Sequence, residues 1–167
     1  SHNITGGLYL SDEQASSFAW GSGFNKDTQS NAIFIQDHIS EGNHRVFIAA
    51  RLSDHETFGE ETTWNAEYGL SISDQWSISA SAGHAFRAPD ATDRYGYGGN
   101  INLKPEVSDD IQLNVAFRPD DDTTYRLELF DTKIENLIEY DFTKDQMLNI
   151  GQASMRGLQL SYHLINE

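Results

Sequence analysis

The residues best suited to bind a ligand are concentrated in one polar connection, AFRAPDATDRYGYGGNINLKPE, at residues 85–106. It holds two of the chain's three prolines, and connections of this length in compact domains are usually functional or disordered. Its tyrosines offer aromatic area to a large flat ligand, and its charged and amide groups offer hydrogen bonds. The candidate ligand contacts in this connection are Arg87, Asp90, Asp93, Arg94, Tyr95, Tyr97 and Asn100.

The same residues also admit a structural interpretation, which the sequence leaves open. Arg87 and the aspartates would then pair with one another and hold the shape of the connection. Gly96, Gly98 and Gly99 would supply backbone conformations with positive φ, which glycine adopts without steric cost.

The sequence gives little support to catalytic or metal chemistry. It contains no G-x-S-x-G motif, and Ser81 and His84 would face opposite sides of one strand. The six histidines are scattered, and there is no cysteine. The acidic run at 120–122 is typical of a solvated turn, and the acidic residues of the first connection lack the spacing of a calcium loop. We therefore predict a protein that is not an enzyme and has no cofactor or metal site.

The charge balance argues against nucleic acid as a partner. Eleven Lys and Arg residues stand against 26 Asp and Glu residues, for a formal net charge of −15. Binding to nucleic acid depends on Lys and Arg that neutralise phosphates. The length of 167 residues indicates one domain, and no stretch approaches the apolar length of a transmembrane helix.

Apolar and polar residues alternate along most of the chain, which predicts β-strands. In TWNAEYGLSIS, for example, every second residue from Trp64 to Ile72 is apolar and the residues between them are small or polar. The pattern predicts an all-β fold, an antiparallel up-and-down meander of about eight strands. We place these strands at residues 2–11, 28–40, 43–53, 61–73, 75–86, 107–118, 123–142 and 147–165.

The lengths of the connections favour an outer-membrane β-barrel. Those at 12–27, 54–60 and 87–106 are long and those between them are short, as in barrels with short turns on one rim and long loops on the other. The aromatic residues Trp64, Trp76, Phe86 and Tyr162 lie toward strand ends, as in the aromatic girdles of such barrels. A soluble β-sandwich or barrel is the alternative. Further candidate ligand contacts, on the polar face just below the long-loop rim, are Asp110, Gln112 and Asn149.

Several motifs, in order along residues 30–165, resemble the β-barrel of TonB-dependent outer-membrane transporters. GHAFRAPDATDRYGYGGNINLKPEVS is similar to a rim loop in which A-F-R/K-A-P leads to G-N-P-x-L-x-P-E. ETFGEETTWNAEYGLSIS is similar to the F-G-x-x-T-x-N segment before it, and IENLIEYD with NIGQASMRGLQLSY to the pair after it. NAIFIQDHIS fits a strand that ends in Gln-Asp. Two positions depart from the pattern: Ile101 stands in place of Pro, and Gln159 in place of Glu.

The resemblance implies a barrel of 22 strands around a plugged lumen. Residues 1–167 would then be a partial β-barrel domain, a fragment without the plug domain and the C-terminal strands. The implied location is the bacterial outer membrane, in contact with its lipid. The implied activity is the capture of a large nutrient and its import with energy supplied through TonB, although a fragment without plug and coupling segment should neither transport nor couple.

The implied substrate is less narrowly defined than the family. RAPDATDRYGYGGN is most similar to the cobalamin (vitamin B12) receptors, and siderophore and haem receptors share the same general pattern. A free-standing eight-stranded barrel, either in a membrane or soluble and ligand-binding, is the alternative to a receptor fragment.

Eight strands of a larger barrel would leave two open sheet edges, which are untenable in lipid and adhesive in water. One solution is closure into a small eight-stranded barrel whose side chains fill the interior. The other is self-association, with a second copy paired edge to edge. The small, polar positions of the inner face favour closure, and we expect it.

Overall fold

The computed structural model describes residues 1–19 and 21–165, most of which lie in antiparallel strands. Eight strands form one sheet in the order β1-β2-β3-β4-β5-β6-β7-β10, and β8 and β9 form a separate hairpin. The elements are β1 His2–Ala19, β2 Ser22–Glu41, β3 His44–His55, β4 Gly59–Ser71, β5 Trp76–Arg87, α1 Ala91–Tyr95, β6 Glu106–Phe117, β7 Thr123–Glu135, β8 Ile138–Asp141, β9 Gln146–Asn149 and β10 Gln152–Leu164. The predicted all-β meander of eight strands is confirmed. The part of the chain that is described contains no helix long and apolar enough to cross a membrane.

The sheet is open, because β1 and β10 each pair with one neighbour within the described residues. The expected closure into a small eight-stranded barrel is therefore wrong. The polar face carries Arg45, Arg51 and Arg126, and these side chains form no ion pair within residues 1–19 and 21–165. Closure would bury their charges in a narrow interior, where an unpaired charge is costly. The assumption that this face is uniformly small and polar overlooked these residues.

The apolar face of the sheet forms an exposed band with rings at one margin. Paired residues of neighbouring antiparallel strands share a face, and Ile111 and Leu160 on this face are 64% and 72% exposed. At the short-turn rim, aromatic residues cross four neighbouring strands, with successive ring centroids 4.5, 6.2 and 5.1 Å apart. This aromatic row is Trp76, Phe117, Tyr125 and Tyr162. Its place and composition are those of an aromatic girdle.

The other margin of the apolar band is marked by polar side-chain pairs on the same face. His84 Nδ1 lies 2.8 Å from Asp109 Oδ1, and Arg156 Nε lies 2.9 Å from Asp131 Oδ2. In β6 the residues between Asp109 and the aromatic row on this face are all apolar. The band is therefore bounded by charge toward the long-loop rim and by rings toward the short-turn rim.

β1 and β2 form a hairpin much taller than its neighbours. They pair from His2 with Ile39 to Ala19 with Ser22, so the predicted long connection at 12–27 is wrong. The pairing of β2 with β3 stops at Ser30, and the hairpin continues about 25 Å beyond that point at the usual rise per residue. Both faces of this extension carry polar residues, so the alternation that reveals a strand with one apolar face is missing there.

The predicted strand at 123–142 is divided in the structure. β7 ends at Glu135, and Asn136 adopts a φ of 56°, a left-handed conformation that Asn accepts more readily than most residues. β8 then leaves the main sheet and pairs with β9. β10 begins at Gln152 instead of the predicted residue 147.

Candidate ligand site

We call residues 88–105, which connect β5 and β6, together with residues 136–151 the rim unit. Its two segments are joined through the backbone, since the N–H of Met147 donates to the carbonyl of Gly98 at 2.6 Å. Two apolar side chains are buried in it, Leu103 at 3% and Ile138 at 7% exposure. The unit therefore has a small core of its own at the long-loop rim.

Arg87 and Glu106 pair at the base of the rim unit, where β5 ends and β6 begins. Arg87 Nε donates to Glu106 Oε2 at 2.5 Å, and Arg87 Nη1 lies 3.5 Å from Asp93 Oδ2. The other carboxylate oxygen of Glu106 accepts the N–H of Ile138 at 2.7 Å. One glutamate thus joins β5, β6 and the start of β8. The Arg87 side chain is 51% exposed, which leaves part of the guanidinium accessible to a ligand.

Asp90 and Asp93 cap the short helix α1. Asp90 Oδ1 accepts the N–H of Asp93 at 2.8 Å, and Asp93 Oδ2 accepts the N–H of Asp90 at 3.2 Å. This reciprocal pair is a capping box. The structural interpretation of these residues is therefore realised, because Arg87 pairs with Asp93 and both aspartates fix the chain locally.

Of the three glycines expected to have positive φ, only Gly98 does, at 66°. Gly96 has a φ of −70°, so the prediction is wrong for Gly96 and also for Gly99. A Cβ at Gly98 would lie 2.5 Å from the ring of Tyr140. Both the backbone conformation and the close approach of the β8–β9 hairpin require glycine at this position.

Residues 88–96, the first half of the connection, contact the neighbouring strands through the Tyr95 ring and Arg94. Lys26 Nζ lies 4.8 Å and Arg94 Cζ 4.9 Å from the ring centroid, and the Phe24 ring is 6.2 Å away. Such cation–π contacts are worth about 0.5–1 kcal/mol each at exposed sites. Arg94 also donates to Thr57 Oγ1 at 3.1 Å. These contacts hold α1 against β2 and against the β3–β4 turn.

A cavity of about 230 Å³ lies between α1 and the polar face of the first three strands. Its lining includes Glu13, Ser30, His55, Asp90, Arg94 and Tyr95. The Nε atom of Arg94 is buried and has no hydrogen-bond partner among the described residues. The first half of the connection is therefore incompletely packed against the sheet.

Residues 97–105, the second half, are fixed by hydrogen bonds from two asparagines. Asn149 Oδ1 accepts the N–H of Lys104 at 2.8 Å, and Asn149 Nδ2 donates to the carbonyls of Lys104 at 2.9 Å and Asn136 at 2.6 Å. Asn100 Nδ2 donates to the carbonyl of Met147 at 3.0 Å. Asn149 was predicted to face the lumen as a ligand contact, but its side-chain amide is used within the rim unit.

Two phenols share one carboxylate at the contact between the two segments. Tyr97 Oη donates to Asp145 Oδ2 at 2.8 Å, and Tyr140 Oη donates to Asp145 Oδ1. The hydrogen bond to Asp145 raises the pKa of Tyr140 to about 12 and also raises the pKa of Tyr97. The hydrogen bonds from the same two phenols lower the pKa of Asp145, and the bond from Tyr140 has the larger effect. Tyr97 nevertheless remains 55% exposed.

The two other predicted contacts lie apart from the rim unit, on the polar face of β6. Asp110 pairs with Gly83 and Gln112 with Ser81 across β5. Asp110 Oδ1 occupies space that a side chain at residue 83 would need. Within residues 1–19 and 21–165, no group of three His, Asp or Glu side chains is arranged to hold a metal ion.

The residues that complete the rim unit, above all Asp145, Tyr140 and Glu106, were not among the predicted site residues. The turn of the β8–β9 hairpin agrees with the predicted connection between the strands at 123–142 and 147–165. The segment FTKDQ, with its polar turn residues, is the sequence signal of that turn. The breaks at Asn136 and Gly151, which separate this hairpin from the main sheet, were not predicted. Nothing in the sequence alone indicated that Asp145 would meet a tyrosine 48 residues away.

Comparison with known proteins identifies the family. The family model described as "TonB dependent receptor-like, beta-barrel" matches residues 3–165. The chain belongs to this family. The aromatic row, the apolar band and the braced long-loop rim are thus features of a TonB-dependent receptor barrel.

The proteins similar to this chain include a vitamin B12 transporter, a siderophore receptor and a ferric enterobactin receptor. The vitamin B12 transporter BtuB of Vibrio cholerae serotype O1 is 31% identical over 113 residues, which are 66% of this chain and 18% of BtuB. The siderophore receptor PirA of Pseudomonas aeruginosa has a TM-score of 0.85 at 23% identity, over 95% of this chain and 32% of PirA. The ferric enterobactin receptor PfeA of the same species, solved as a mutant with enterobactin, has a TM-score of 0.70 at 19% identity, over 81% of this chain and 24% of PfeA.

These coverages limit what the relatives establish. The chain spans about a fifth of the length of BtuB and about a third of the length of PirA. The likeness to PirA and PfeA, at identities below 25%, shows the fold alone.

Proposed function

We propose that this chain forms part of the wall of an outer-membrane receptor, which captures a large, scarce nutrient at the long-loop rim and imports it with energy supplied through TonB. The observation that carries the proposal is the rim unit itself. It carries aromatic, cationic and amide groups, is held together by hydrogen bonds, and lies at the rim of a sheet whose outward band is apolar. The mechanism requires no bond to form or break, because the loops bind the ligand and the lumen carries its passage.

The open edges of the sheet support a larger barrel around this chain. In lipid, unpaired N–H and C=O groups of an edge strand are costly, and β1 and β10 each present such an edge. We propose that both edges pair with further strands of a 22-stranded barrel whose lumen holds a plug domain. The arginines of the polar face would then have partners from the contents of the lumen.

The ligand is proposed to contact the rim unit through the groups that its internal bonds leave accessible. Tyr97 and Arg87 are about half exposed, which makes them the strongest of the predicted contacts. Asp90, Asp93, Asn100 and Asn149 serve mainly to fix the chain. Asp110 and Gln112 would meet the ligand only as it passes into the lumen.

Two classes of nutrient fit the family, vitamin B12 and a siderophore. The partial sequence match to BtuB supports vitamin B12, and the fold matches to PirA and PfeA are consistent with a siderophore. Both classes are large and present flat conjugated rings with polar edges, which suits aromatic residues beside hydrogen-bonding groups. We take vitamin B12 as the first ligand to test.

The experiment is a calorimetric titration of the full-length protein that contains this chain, in detergent, with vitamin B12 and with ferric enterobactin. We expect one of the two to bind with a Kd of about 1 μM or less, equivalent to about −8 kcal/mol. Cells that carry the protein should accumulate that ligand, and dissipation of the proton gradient should abolish accumulation while leaving surface binding intact. Binding of neither ligand, or accumulation that needs no energy, would overturn the proposal.

A further inference from the structure

Phe142 is an exposed aromatic residue that lies outside the apolar band of the main sheet. Its side chain is 89% exposed, and it lies at the tip of the β8–β9 hairpin between Asp141 and Thr143. In β6 and β10, the strongly exposed residues Ile111, Leu158 and Leu160 lie on the outward band of the sheet. A single exposed apolar residue is unremarkable, but a contiguous exposed patch marks an interaction site.

Phe142 lies beside Tyr140, which is linked through a carboxylate to a tyrosine in the other segment of the rim unit. The Phe142 ring centroid is 5.2 Å from that of Tyr140, at an interplanar angle of 70°. Tyr140 is joined to Tyr97 through the shared carboxylate of Asp145. We call Tyr97, Tyr140 and Phe142 the ring cluster.

The ring cluster stands on a framework that is already ordered. Asp141 Oδ1 accepts the N–H groups of Thr143 and Lys144 at 2.8 and 3.1 Å, which fixes the turn that carries Phe142. Asp145 fixes both phenol groups. Binding to a rigid aromatic surface costs little conformational entropy, which is why aromatic anchors dominate many binding sites.

We infer that the ring cluster is the outer contact surface for the ligand, that Phe142 and Tyr97 touch it directly, and that Asp145 is a positioning residue for the rings. The inference rests on the proposed function and adds residues beyond the predicted connection. The contact is made before the ligand reaches the lumen.

The chemistry of the cluster selects a ligand with a planar conjugated ring. Each carboxylate oxygen of Asp145 accepts a hydrogen bond from a phenol. This carboxylate is therefore less able to attract a cation. The nearest cation in sequence is Lys144, whose side chain is 66% exposed. Its ammonium group pairs loosely with Asp141, at 3.9 Å. That ammonium group is available to an anionic or carbonyl group on the edge of the ligand.

The test uses the full-length protein, with vitamin B12 and ferric enterobactin as probes. The variant Phe142→Ala should bind the recognised probe about tenfold more weakly, the usual size of effect for loss of an aromatic anchor. Phe142→Trp should restore binding, and Phe142→Leu should restore only part of it, because Leu supplies apolar area without a ring face. Tyr97→Ala should weaken binding to a similar extent.

The matched control is Phe18→Ala. Phe18 is also a highly exposed phenylalanine, at 81%, but it lies on the β1–β2 hairpin. Its removal should change the affinity less than twofold. Equal losses from both variants, or no loss from Phe142→Ala in a protein that binds a probe, would overturn the inference and leave the proposed function standing. If the unaltered protein binds neither probe, the proposed function and this inference fail together.

Asp145 has a separate readout, since a merely local structural role would not alter ligand binding. Asp145→Asn should lower the affinity while the protein remains folded, because the phenols lose a charged acceptor. In a protein that already carries Tyr97→Ala and Phe142→Ala, the further change Asp145→Asn should weaken binding little more, because both contacting rings are gone. Fully additive losses would show that Asp145 does not act through the rings.

Discussion

Residues 88–96 and residues 97–105 belong to one connection, yet different interactions hold them. The first half is hydrogen-bonded within itself by the Asp90–Asp93 capping box. It contacts the sheet through the Tyr95 ring, which has two cations beside it, and it leaves a cavity behind α1. The second half is tied by amide hydrogen bonds from Asn149 and Asn100 to backbone groups of both segments. Ring contacts tolerate small displacements, whereas hydrogen bonds depend steeply on distance and angle. We therefore expect the first half to adjust to a ligand and the second half to stay in place.

The largest effect should come from the fixed half. In Asn149→Ala, the N–H and C=O of Lys104 and the C=O of Asn136 lose their partners, at a cost of about 2–3 kcal/mol. Hydrogen exchange measured by mass spectrometry should show faster exchange in residues 97–105 and 137–150 and unchanged exchange in 88–96. Asn25→Ala, at an exposed position of the tall hairpin, should change neither. Faster exchange across the whole connection would mean that the two halves are one cooperative unit.

A smaller effect should follow from a change in the adjustable half. Tyr95→Ala removes both cation contacts and the contact with Phe24, a loss of about 1–2 kcal/mol. Exchange should become faster in residues 88–96 alone. Tyr95→Phe keeps the ring and should behave as the unaltered protein. If Tyr95→Ala also loosened residues 97–105, the division at Gly96 would be incorrect.

The smallest effect concerns the ionisation of the ring cluster. The raised pKa of Tyr140, about 12, gives stabilisation that is complete below the ordinary value near 10 and is lost as the pH rises through 12. The lowered pKa of Asp145 gives stabilisation that is present above the ordinary carboxyl value and is lost as the pH falls through the lowered one. The second half should therefore be unaffected by pH between about 5 and 9.

Ultraviolet titration of tyrosine checks this. The difference between the unaltered protein and Asp145→Asn should show two tyrosines that ionise at lower pH in the variant. Identical titration curves would mean that the phenols do not depend on Asp145. Glu139→Gln, on the same hairpin, serves as a control for the loss of one negative charge.

The strands were predictable because most of them have one apolar face. Alternation placed β3, β4, β5 and β6 within a few residues of their observed ends. It failed for the upper part of the β1–β2 hairpin, which is polar on both faces. It also failed at Asn136, where a break in backbone direction leaves the apolar pattern nearly intact.

The place of the candidate site was predictable, and its internal contacts were not. Composition alone singled out the connection that carries Arg87 and Tyr97. The partners of these residues lie 19 and 48 residues away in sequence, and such pairings depend on how the two segments meet at the rim. Asn149 shows the limit most clearly, since its residue type suits a ligand contact and a framework bond equally well.

The separation between the aromatic row and the charged row on the outward face has a consequence for bilayer thickness. From Asp109 to Phe117, β6 advances about 27 Å, which at a tilt of about 40° is about 20 Å of height. A thicker bilayer would place the His84–Asp109 pair within hydrocarbon, a hydrophobic mismatch that the lipid must relieve by thinning. We therefore expect the stability of the full barrel after reconstitution to fall as the acyl chains of the host lipid lengthen.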